Sequence, residues 1–307
     1  MSITPAMIKE LRERTQAGMS DCKNALVEAE GDMDKAVEVI LKKGIVKAAS
    51  RAGRVASDGE VATVVAADGK RGTIVEVNCQ TDFVARGDDF KAFVKSVADV
   101  ASKLSDGADL SAAKLGDKTV DEVRQALVGK IGENMVVRRW QAIDAVGESG
   151  LVHAYVHMGG KLAVLLSAEA PSADAKKNDD FKAFVDNCAM QIAAMGPIVV
   201  SKEQVSAGDI AKQKEIFEGQ LKEEGKPEAA WPKIIEGKVN KWFTEVTLLG
   251  QDAVWEPGAG SVDKLRQALG TKLGGEVKLH GFVRFALGEG IEKKTDDLAA
   301  EVAKMTS

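Results

Sequence analysis

The run Asp-Asp-Phe-Lys-Ala-Phe-Val occurs twice in this chain, at residues 88–94 and again at residues 179–185. A second matched pair follows in the same order, because the segment at 119–127 is similar to the segment at 261–269. Two matched blocks in one order indicate an internal duplication. This feature restricts the fold more than any other, since both halves must build the same unit.

Strand-like segments surround the matched runs in the same way in both copies. Two segments joined by a turn precede each first run, and another strand candidate follows each second run. The strand candidates are residues 61–66, 73–79 and 135–143 in the first copy and residues 152–157, 161–167 and 276–287 in the second. The order hairpin, helix, helix, strand therefore predicts an α+β fold with a duplicated core of two small antiparallel-sheet-plus-helix subdomains.

The second copy is longer than the first by 51 residues between its matched runs. The additional residues, roughly 197–250, contain a charged helical pattern at 209–224 and a Gly-Lys-Pro break at 225–227. A second helical pattern begins near Glu228, so the insertion predicts an antiparallel helical hairpin. Such a hairpin either contacts a partner or packs on its own subdomain, and the sequence leaves both roles open.

The first 54 residues predict a small three-helix domain and a linker. Its helix boundaries are taken from capping residues and glycines. These are Thr4 and Pro5 at the start of the first helix, Ser20 or Asp21 at the start of the second, and Asp32 and Gly44 at the two ends of the third. Residues 45–54 are rich in alanine and basic side chains, which predicts a helical or mobile linker that is solvated rather than bound to phosphate.

The composition, with 45% apolar and 29% charged residues, is that of an ordinary soluble globular protein. The net charge of −5 gives no overall basic surface for nucleic acid. Three widely spaced cysteines are typical of free thiols in a reducing cytoplasm. Neither a signal peptide nor an apolar run of about 20 residues is evident, so we expect a cytoplasmic protein without membrane contact.

The sequence shows no catalytic or metal-binding pattern, and the candidate residues fit structural roles instead. No phosphate-binding GxxxxGK[ST] loop occurs, and no histidine lies in the spacing of a nucleophilic triad. His153 and His157 alternate along a strand pattern, which would place them about 13 Å apart and too far to share a metal ion. Other residues receive structural roles: Asp88 and Asp89 as acids of a first helical turn, Cys79 and Cys188 as buried apolar side chains, and Arg138 and Arg139 on a solvated strand edge.

The run Thr-Asp-Phe-Val-Ala-Arg at 81–86 separates a strand-like segment from the helix that begins near Asp88. An aromatic ring beside an acid at the tip of a loop could enter another protein. The second copy has no such run, which distinguishes the tip from the shared framework. From the residues alone, the commoner role for Phe83 is a staple that packs on its own core.

Three segments resemble the bacterial elongation factor Ts family, the nucleotide exchange factors of elongation factor Tu. The resemblance spans the chain and agrees with the three helices, the duplication and the inserted hairpin. It implies a UBA-like N-terminal domain, a core and a coiled coil. The segments are residues 78–84 with the Thr-Asp-Phe-Val tip, residues 11–15 followed by 18–19 and 21–23, and residues 281–285 followed by 288–292.

The resemblance implies a role for the tip. Asp82 and Phe83 would enter between two helices of the GTPase, and Thr81 and Val84 would shape the tip. The magnesium-supporting switch region of the partner would be disturbed, and GDP would loosen. The resemblance implies no cofactor, no metal, no direct contact with nucleic acid and no catalytic residue in this chain.

Other contacts are implied at three places. Thr15, Gly18 and Met19 would press on the helix beside the guanine pocket, although family members often have Gly and Met where this chain has Gln16 and Ser20. His157 and Ile291 would add weaker contacts. A homodimer or a 2:2 complex with elongation factor Tu is possible, and an RNA- or ribosome-binding module is the competing function.

The expected organisation divides the chain into six segments. An N-terminal three-helix domain and linker precedes a core whose second half is interrupted by the hairpin. The segments are 1–54 (N-terminal domain and linker), 55–148 (first core subdomain), 149–196 (second core subdomain, first part), 197–250 (hairpin), 251–287 (second core subdomain, second part) and 288–307 (C-terminal helical segment).

Overall fold

The computed structural model describes residues 3–15 and 17–292, without the side chain of Lys47. It is a mixture of helices and small sheets, which confirms the α+β class. The part of the 288–307 segment beyond residue 292 lies outside the described residues. The chain divides into two compact units. One consists of Met1–Ala62, Val75–Trp140 and Ala286–Ser307, and the other of Thr63–Ile74 and Gln141–Phe285.

The longer helices and strands follow one another in the order that the sequence predicts, and three short elements (Asp82–Arg86, Lys114–Leu115 and Lys118–Thr119) are additional. The helices of the described residues are α1 (Pro5–Thr15), α2 (Met19–Glu28), α3 (Met33–Arg51), α4 (Asp82–Arg86), α5 (Asp88–Ala101), α6 (Val120–Ile131), α7 (Asp179–Met195), α8 (Ala207–Glu223), α9 (Trp231–Val246) and α10 (Val262–Leu273). The strands are β1 (Asp58–Val65), β2 (Arg71–Cys79), β3 (Lys114–Leu115), β4 (Lys118–Thr119), β5 (Met135–Asp144), β6 (Gly150–His157), β7 (Leu162–Glu169) and β8 (Lys278–Ala286).

Each copy of the duplicated unit forms one three-stranded sheet. The strand order is β1-β2-β5 in the first sheet and β6-β7-β8 in the second. The register of the antiparallel β6–β7 pair runs from Gly150 opposite Glu169 to His157 opposite Leu162. The predicted strands are therefore confirmed. The β3–β4 pair was not predicted, because strands of two residues leave no alternating pattern.

The matched runs of the two copies make the same internal contacts. In the first copy, Arg124 Nε donates to the Asp121 carboxylate at 2.7 Å, and Nη1 of this arginine donates to a carbonyl of β5 at 3.0 Å. In the second copy, Arg266 Nε donates to Asp263 at 2.8 Å, and its Nη1 reaches the backbone next to β8 at 2.6 Å. The residues repeated in the two copies thus form equivalent hydrogen bonds that hold the second helix of each copy to the strand segment that follows it.

The second helix begins earlier than its sequence signals indicate. It starts at Met19, with Gly18 in an extended conformation as the capping residue, so the assignment of Ser20 or Asp21 as the cap is wrong. The Gly18 carbonyl accepts the first helical bond from the Cys22 N–H at 2.9 Å. Glycine is tolerated at this position, and Asp21 falls in the first turn, where an acid favours the helix dipole.

The third helix does not end at Gly44 but continues to Arg51, so the predicted linker is largely helical. The glycine has a different role, because α6 crosses α3 at this point. A Cβ placed on Gly129 of α6 would lie 2.9 Å from the Gly44 Cα. The crossing joins the N-terminal helices to the helix that precedes β5, within the same compact unit.

The inserted segment forms two helices, α8 and α9, joined by a turn at Gly225 with a φ of +65°. A small apolar core of Leu221, Ile235 and Val239 lies between them. The first of the two helices, α8, begins at Ala207, two residues before the predicted start. A short 3-10 turn, Glu228–Ala230, precedes α9.

Candidate partner-binding site

The 81–86 run does not form a loop tip but the short helix α4, which follows β2 directly. Thr81 caps the helix, since its hydroxyl accepts a hydrogen bond from the Val84 N–H at 3.3 Å. Val84 and Ala85 are buried against the body of the first unit. A helix of five residues is too short to show a helical period in its apolar residues, so the sequence does not distinguish it from a loop.

Phe83 is 84% exposed on the outer side of this helix. The interpretation as a staple packing on its own core is therefore wrong for this protein. Burying a phenylalanine side chain stabilises a structure by roughly 1.5–3 kcal/mol, and this ring forgoes that energy in the isolated chain. Asp82 is exposed beside it and pairs with Arg86 at 2.8 Å, one turn further along. Helix α4 with its cap Thr81, which we call the tip, thus presents the Asp82 carboxylate and the Phe83 ring together on the surface.

Glu133 supports the tip from the segment between α6 and β5. Its two carboxylate oxygens accept hydrogen bonds from the Thr81 hydroxyl at 2.7 Å and from the Thr81 N–H at 3.1 Å. Glu133 is not predicted from the sequence, because no local pattern relates two positions separated by 52 residues. The signal that could have found it is a polar Glu-Asn pair immediately after the helix-ending glycine at 132.

Thr15, Gly18 and Met19 lie close together where α1 ends and α2 begins. The Thr15 hydroxyl donates to the Leu11 carbonyl at 2.7 Å and accepts from the Ala17 N–H at 3.3 Å, so it shapes the turn. Met19 is 61% exposed. This group belongs to the same compact unit as the tip.

His157 is the exposed last residue of β6, in the second unit. Its imidazole Nδ1 lies 3.0 Å from the hydroxyl of Tyr155, and the two rings are stacked. His153, two strand positions before Tyr155, pairs instead with Asp186 at 2.9 Å. The strand assignment of both histidines is confirmed. Within the described part of the chain, no three His, Cys, Asp or Glu side chains form a group that could hold a metal ion.

Arg138 and Arg139 do not lie on a solvated strand edge. Arg138 Nη1 donates to the buried Glu76 carboxylate at 2.9 Å, and Arg139 Nε donates to it at 2.6 Å. No local pattern indicates this cluster, because Glu76 lies 62 and 63 positions from the two arginines. We call Glu76, Arg138 and Arg139, together with Asn78, which also donates to Glu76, the Glu76 cluster.

The Glu76 cluster holds the segment that follows β8. The Gly288 N–H donates to the Glu76 carboxylate at 2.8 Å, and Arg139 Nη2 donates to the Ala286 carbonyl at 3.1 Å. Arg138 also donates to the carbonyl of Glu289. Ile291, a predicted contact residue, is half-buried just beyond, and its N–H donates to the Gly288 carbonyl at 3.0 Å.

Burial raises the pKa of the Glu76 carboxyl, but its hydrogen-bond donors outweigh burial and hold that pKa below its ordinary value. The donors, in order of effect, are Gly288, Arg138, Arg139 and Asn78. Glu76 is therefore ionised at neutral pH, and the cluster is a buried ion pair with two cations for one anion.

Two lysines of α3 that precede the predicted linker form ion pairs on the surface. Lys43 pairs with Glu28 at 2.7 Å, and Lys42 pairs with Glu38 at 3.7 Å. Cys22, Cys79 and Cys188 are buried thiols outside any disulfide, so the predicted burial of Cys79 and Cys188 is confirmed. The Cys79 thiol donates to the Thr81 carbonyl at 3.2 Å, and burial raises the pKa of the Cys188 thiol well above its ordinary value. Among the described residues, no helix has the length and apolar character needed to cross a bilayer.

A family model described as Elongation factor TS matches residues 80–289 of the chain. Curated relatives named Elongation factor Ts are similar over almost their whole length. A relative from a Nitratiruptor species is 46% identical over 99% of this chain and 99% of its own. A relative from Clostridium perfringens is 47% identical with the same coverage, and one from Nautilia profundicola is 43% identical over 100% of this chain and 99% of its own.

Proposed function

Because this chain belongs to the elongation factor Ts family of translation elongation factors, we propose that it binds elongation factor Tu and promotes the release of GDP from it. The observation that carries the proposal is the exposure of Phe83 on a helix whose other apolar residues, Val84 and Ala85, are buried. An aromatic ring kept in solvent beside an acid is suited to insertion between elements of another protein.

The tip acts by inserting Asp82 and Phe83 between two helices of the GTPase, near the switch region that supports its magnesium ion. Thr81 and Val84 fix the shape of the inserted helix. Insertion displaces the groups that hold the magnesium, and GDP is bound less tightly. Only contacts stronger in the nucleotide-free complex than in the GDP complex drive release.

An acceleration of GDP release beyond about a hundredfold requires more than one contact with the GTPase. A tenfold acceleration of release needs about 1.4 kcal/mol. Burial of one phenylalanine ring supplies roughly 1.5–3 kcal/mol, which corresponds to about ten- to a hundredfold. Thr15, Gly18 and Met19 add a second contact beside the guanine pocket, and we propose weaker contributions from Ile291 and His157.

The coupling between nucleotide and exchange factor is reciprocal. If this protein weakens GDP binding by a given factor, GDP weakens the binding of this protein by the same factor. Rebinding of nucleotide therefore releases the protein for another cycle. It acts by binding in the cytoplasm, without catalysing a reaction, needing a cofactor or contacting nucleic acid. A homodimer or a 2:2 complex is compatible with this cycle, and the inserted hairpin is a candidate surface for either assembly.

We propose that the contacts with elongation factor Tu are distributed over several parts of the chain. The N-terminal three-helix domain (1–54) and the first core subdomain (55–148) carry the main contacts. The second core subdomain (149–196 and 251–287) carries His157 and the inserted hairpin (197–250). The C-terminal segment (288–307) carries Ile291.

The direct test uses elongation factor Tu loaded with a fluorescent GDP and mixed in a stopped-flow instrument with this protein and excess unlabelled GDP. We expect release to accelerate and to saturate as the concentration of this protein rises. A release rate that stays at the unstimulated value, together with no complex on gel filtration without nucleotide, would overturn the proposal. Salt-sensitive binding to RNA in the absence of any GTPase would instead support the alternative of an RNA-binding module.

A further inference from the structure

We propose that Glu133 is a positioning residue for nucleotide exchange, which holds helix α4 in the orientation that lets Phe83 enter the GTPase. The inference rests on the proposed function of the tip. It assigns a role to a residue outside the Thr81–Val84 contact group, in the segment that connects α6 to β5.

The hydrogen bonds between Glu133 and Thr81 have a defined direction. The single proton of the Thr81 hydroxyl is donated to Glu133 at 2.7 Å. The same hydroxyl oxygen therefore has a lone pair left for the Val84 N–H, which it accepts at 3.3 Å. The second Glu133 oxygen takes the Thr81 backbone N–H at 3.1 Å. The carboxylate thus fixes both the backbone and the hydroxyl rotation of the residue that caps α4.

Helix α4 needs support from outside because it is too short to be stable alone. It has five residues, whereas isolated helices shorter than about 12–15 residues are marginal in water. Phe83 contributes little packing, since its ring is almost fully exposed. The direction of the ring is therefore set by the backbone of the helix, which is held by the burial of Val84 and Ala85 and by the hydrogen bonds of Thr81 to Glu133.

The neighbour of Glu133 is itself firmly held. Asn134 is 3% exposed, and its backbone N–H donates to the Gln80 side chain at 3.0 Å. Its side-chain amide donates to the Arg54 carbonyl at 2.8 Å and to the Ala52 carbonyl at 3.4 Å. The pair Glu133 and Asn134 thus joins the base of the tip to the chain that leaves α3. The carboxylate extends from a fixed backbone, so it can act as a brace.

A carboxylate suits this position, because both Thr81 groups that face it are hydrogen-bond donors. Hydrogen bonds to a carboxylate are stronger than bonds to a neutral acceptor, and each carboxylate oxygen of Glu133 accepts one Thr81 donor, at 2.7 and 3.1 Å. A glutamine would keep one acceptor oxygen, and one of the two Thr81 donors would face an amide nitrogen that cannot accept its proton. Glu133→Gln should therefore keep part of the function, and Glu133→Ala should lose more.

The test compares Glu133→Ala, Glu133→Gln and Phe83→Ala in the fluorescent-GDP assay, with Glu148→Ala as a control for loss of an exposed glutamate. We expect Glu133→Ala to lower the maximal stimulated release rate by about tenfold, because misplacement of a positioned group by about 1 Å can cost up to a hundredfold. The half-saturating concentration should stay within about twofold, and Glu133→Gln should recover part of the loss. Glu148→Ala should match the unmodified protein.

The double variant Phe83→Ala with Glu133→Ala separates positioning from a general loss of structure. If Glu133 acts through the ring, its substitution should have no further effect once Phe83 is absent. An equal additional loss in the Phe83→Ala background, or no loss from Glu133→Ala alone, would overturn the inference and leave the proposed function intact. A Phe83→Ala rate within twofold of the unmodified protein would instead contradict the proposed role of the tip.

Discussion

Gly129 of α6 lies so close to Gly44 of α3 that a Cβ on Gly129 would be 2.9 Å from the Gly44 Cα. The reverse substitution has room, because a Cβ on Gly44 would lie 3.9 Å from the Gln125 carbonyl, an ordinary contact distance. The close crossing of α3 and α6 therefore requires glycine at position 129 but not at position 44. Through it, the turn that carries Met19 is joined to the helix that leads to Glu133.

The asymmetry of this crossing gives a matched pair of substitutions. Gly129→Ala should lower the free energy of unfolding by about 1–3 kcal/mol, because backbone atoms must move apart. Gly44→Ala should be neutral or stabilising by up to about 1 kcal/mol, since alanine is the better helix former. Urea unfolding followed by circular dichroism measures both. Equal effects of the two substitutions would show that the helices are not in the contact described.

The Glu76 cluster predicts a loss of stability in acid. A carboxyl whose pKa is lower in the folded than in the unfolded protein stabilises the fold above the unfolded pKa, about 4.3 for glutamate. This stability is lost as the pH falls through the lower, folded pKa. The free energy of unfolding should therefore decrease below about pH 5, and this decrease should be smaller in Glu76→Gln. Urea unfolding at a series of pH values provides the measurement.

At neutral pH, Glu76→Gln should itself cost about 3 kcal/mol, because two partly buried arginines lose their anion. Glu289→Gln is the control at the exposed rim of the same cluster, where a lost ion pair is worth about 0–1 kcal/mol. If both variants lose the same stability, or the acid response of Glu76→Gln is unchanged, the buried carboxylate does not hold the segment after β8.

Alanine substitutions of Gly288 and Gly290 distinguish backbone strain from steric clash in the segment that follows β8. Both have a positive φ, of +71° and +75°, which costs a non-glycine residue about 1–2 kcal/mol. A Cβ on Gly288 would also lie 2.6 Å from the Ser57 carbonyl, whereas a Cβ on Gly290 meets no atom closer than 3.9 Å. Gly288→Ala should therefore be more destabilising than Gly290→Ala in thermal unfolding. A larger loss from Gly290→Ala would contradict the described path of the chain.

The features that can be predicted from the sequence depend on local patterns or on the internal repeat. The duplicated runs located the two three-stranded sheets, and the break at Gly225 located the hairpin turn. Helical and alternating periodicity then indicated the type of the longer elements. The motif at 78–84 identified the family, and this identification is confirmed by relatives that are similar over nearly the whole chain.

The features that the sequence did not predict depend on residues far apart in the chain. The local pattern indicates a helix end at Gly44, because its packing partner Gly129 lies in another helix. Arg138 was assigned to solvent, because its partner Glu76 precedes it by 62 residues. The Glu133–Thr81 pair is likewise invisible to any local pattern. Tertiary contact decides such cases, and it overrides local preference.

The exposure of Phe83 was the other feature that local patterns could not settle. A ring at the start of a helix fits either a packed staple or a free contact. In the structure the ring is free, and the contribution of this one side chain can be measured without disturbing a packed core.

The most direct test of the proposed mechanism is the maximal rate of fluorescent-GDP release from elongation factor Tu stimulated by Phe83→Ala. Val254→Ala, which trims another exposed apolar side chain, is the control, and circular dichroism verifies both folds. We predict that Phe83→Ala slows stimulated release at least about tenfold, as expected for the loss of roughly 1.5–3 kcal/mol of ring burial, while Val254→Ala matches the unmodified protein. A Phe83→Ala rate within twofold of the unmodified protein would contradict the central claim that this ring drives exchange.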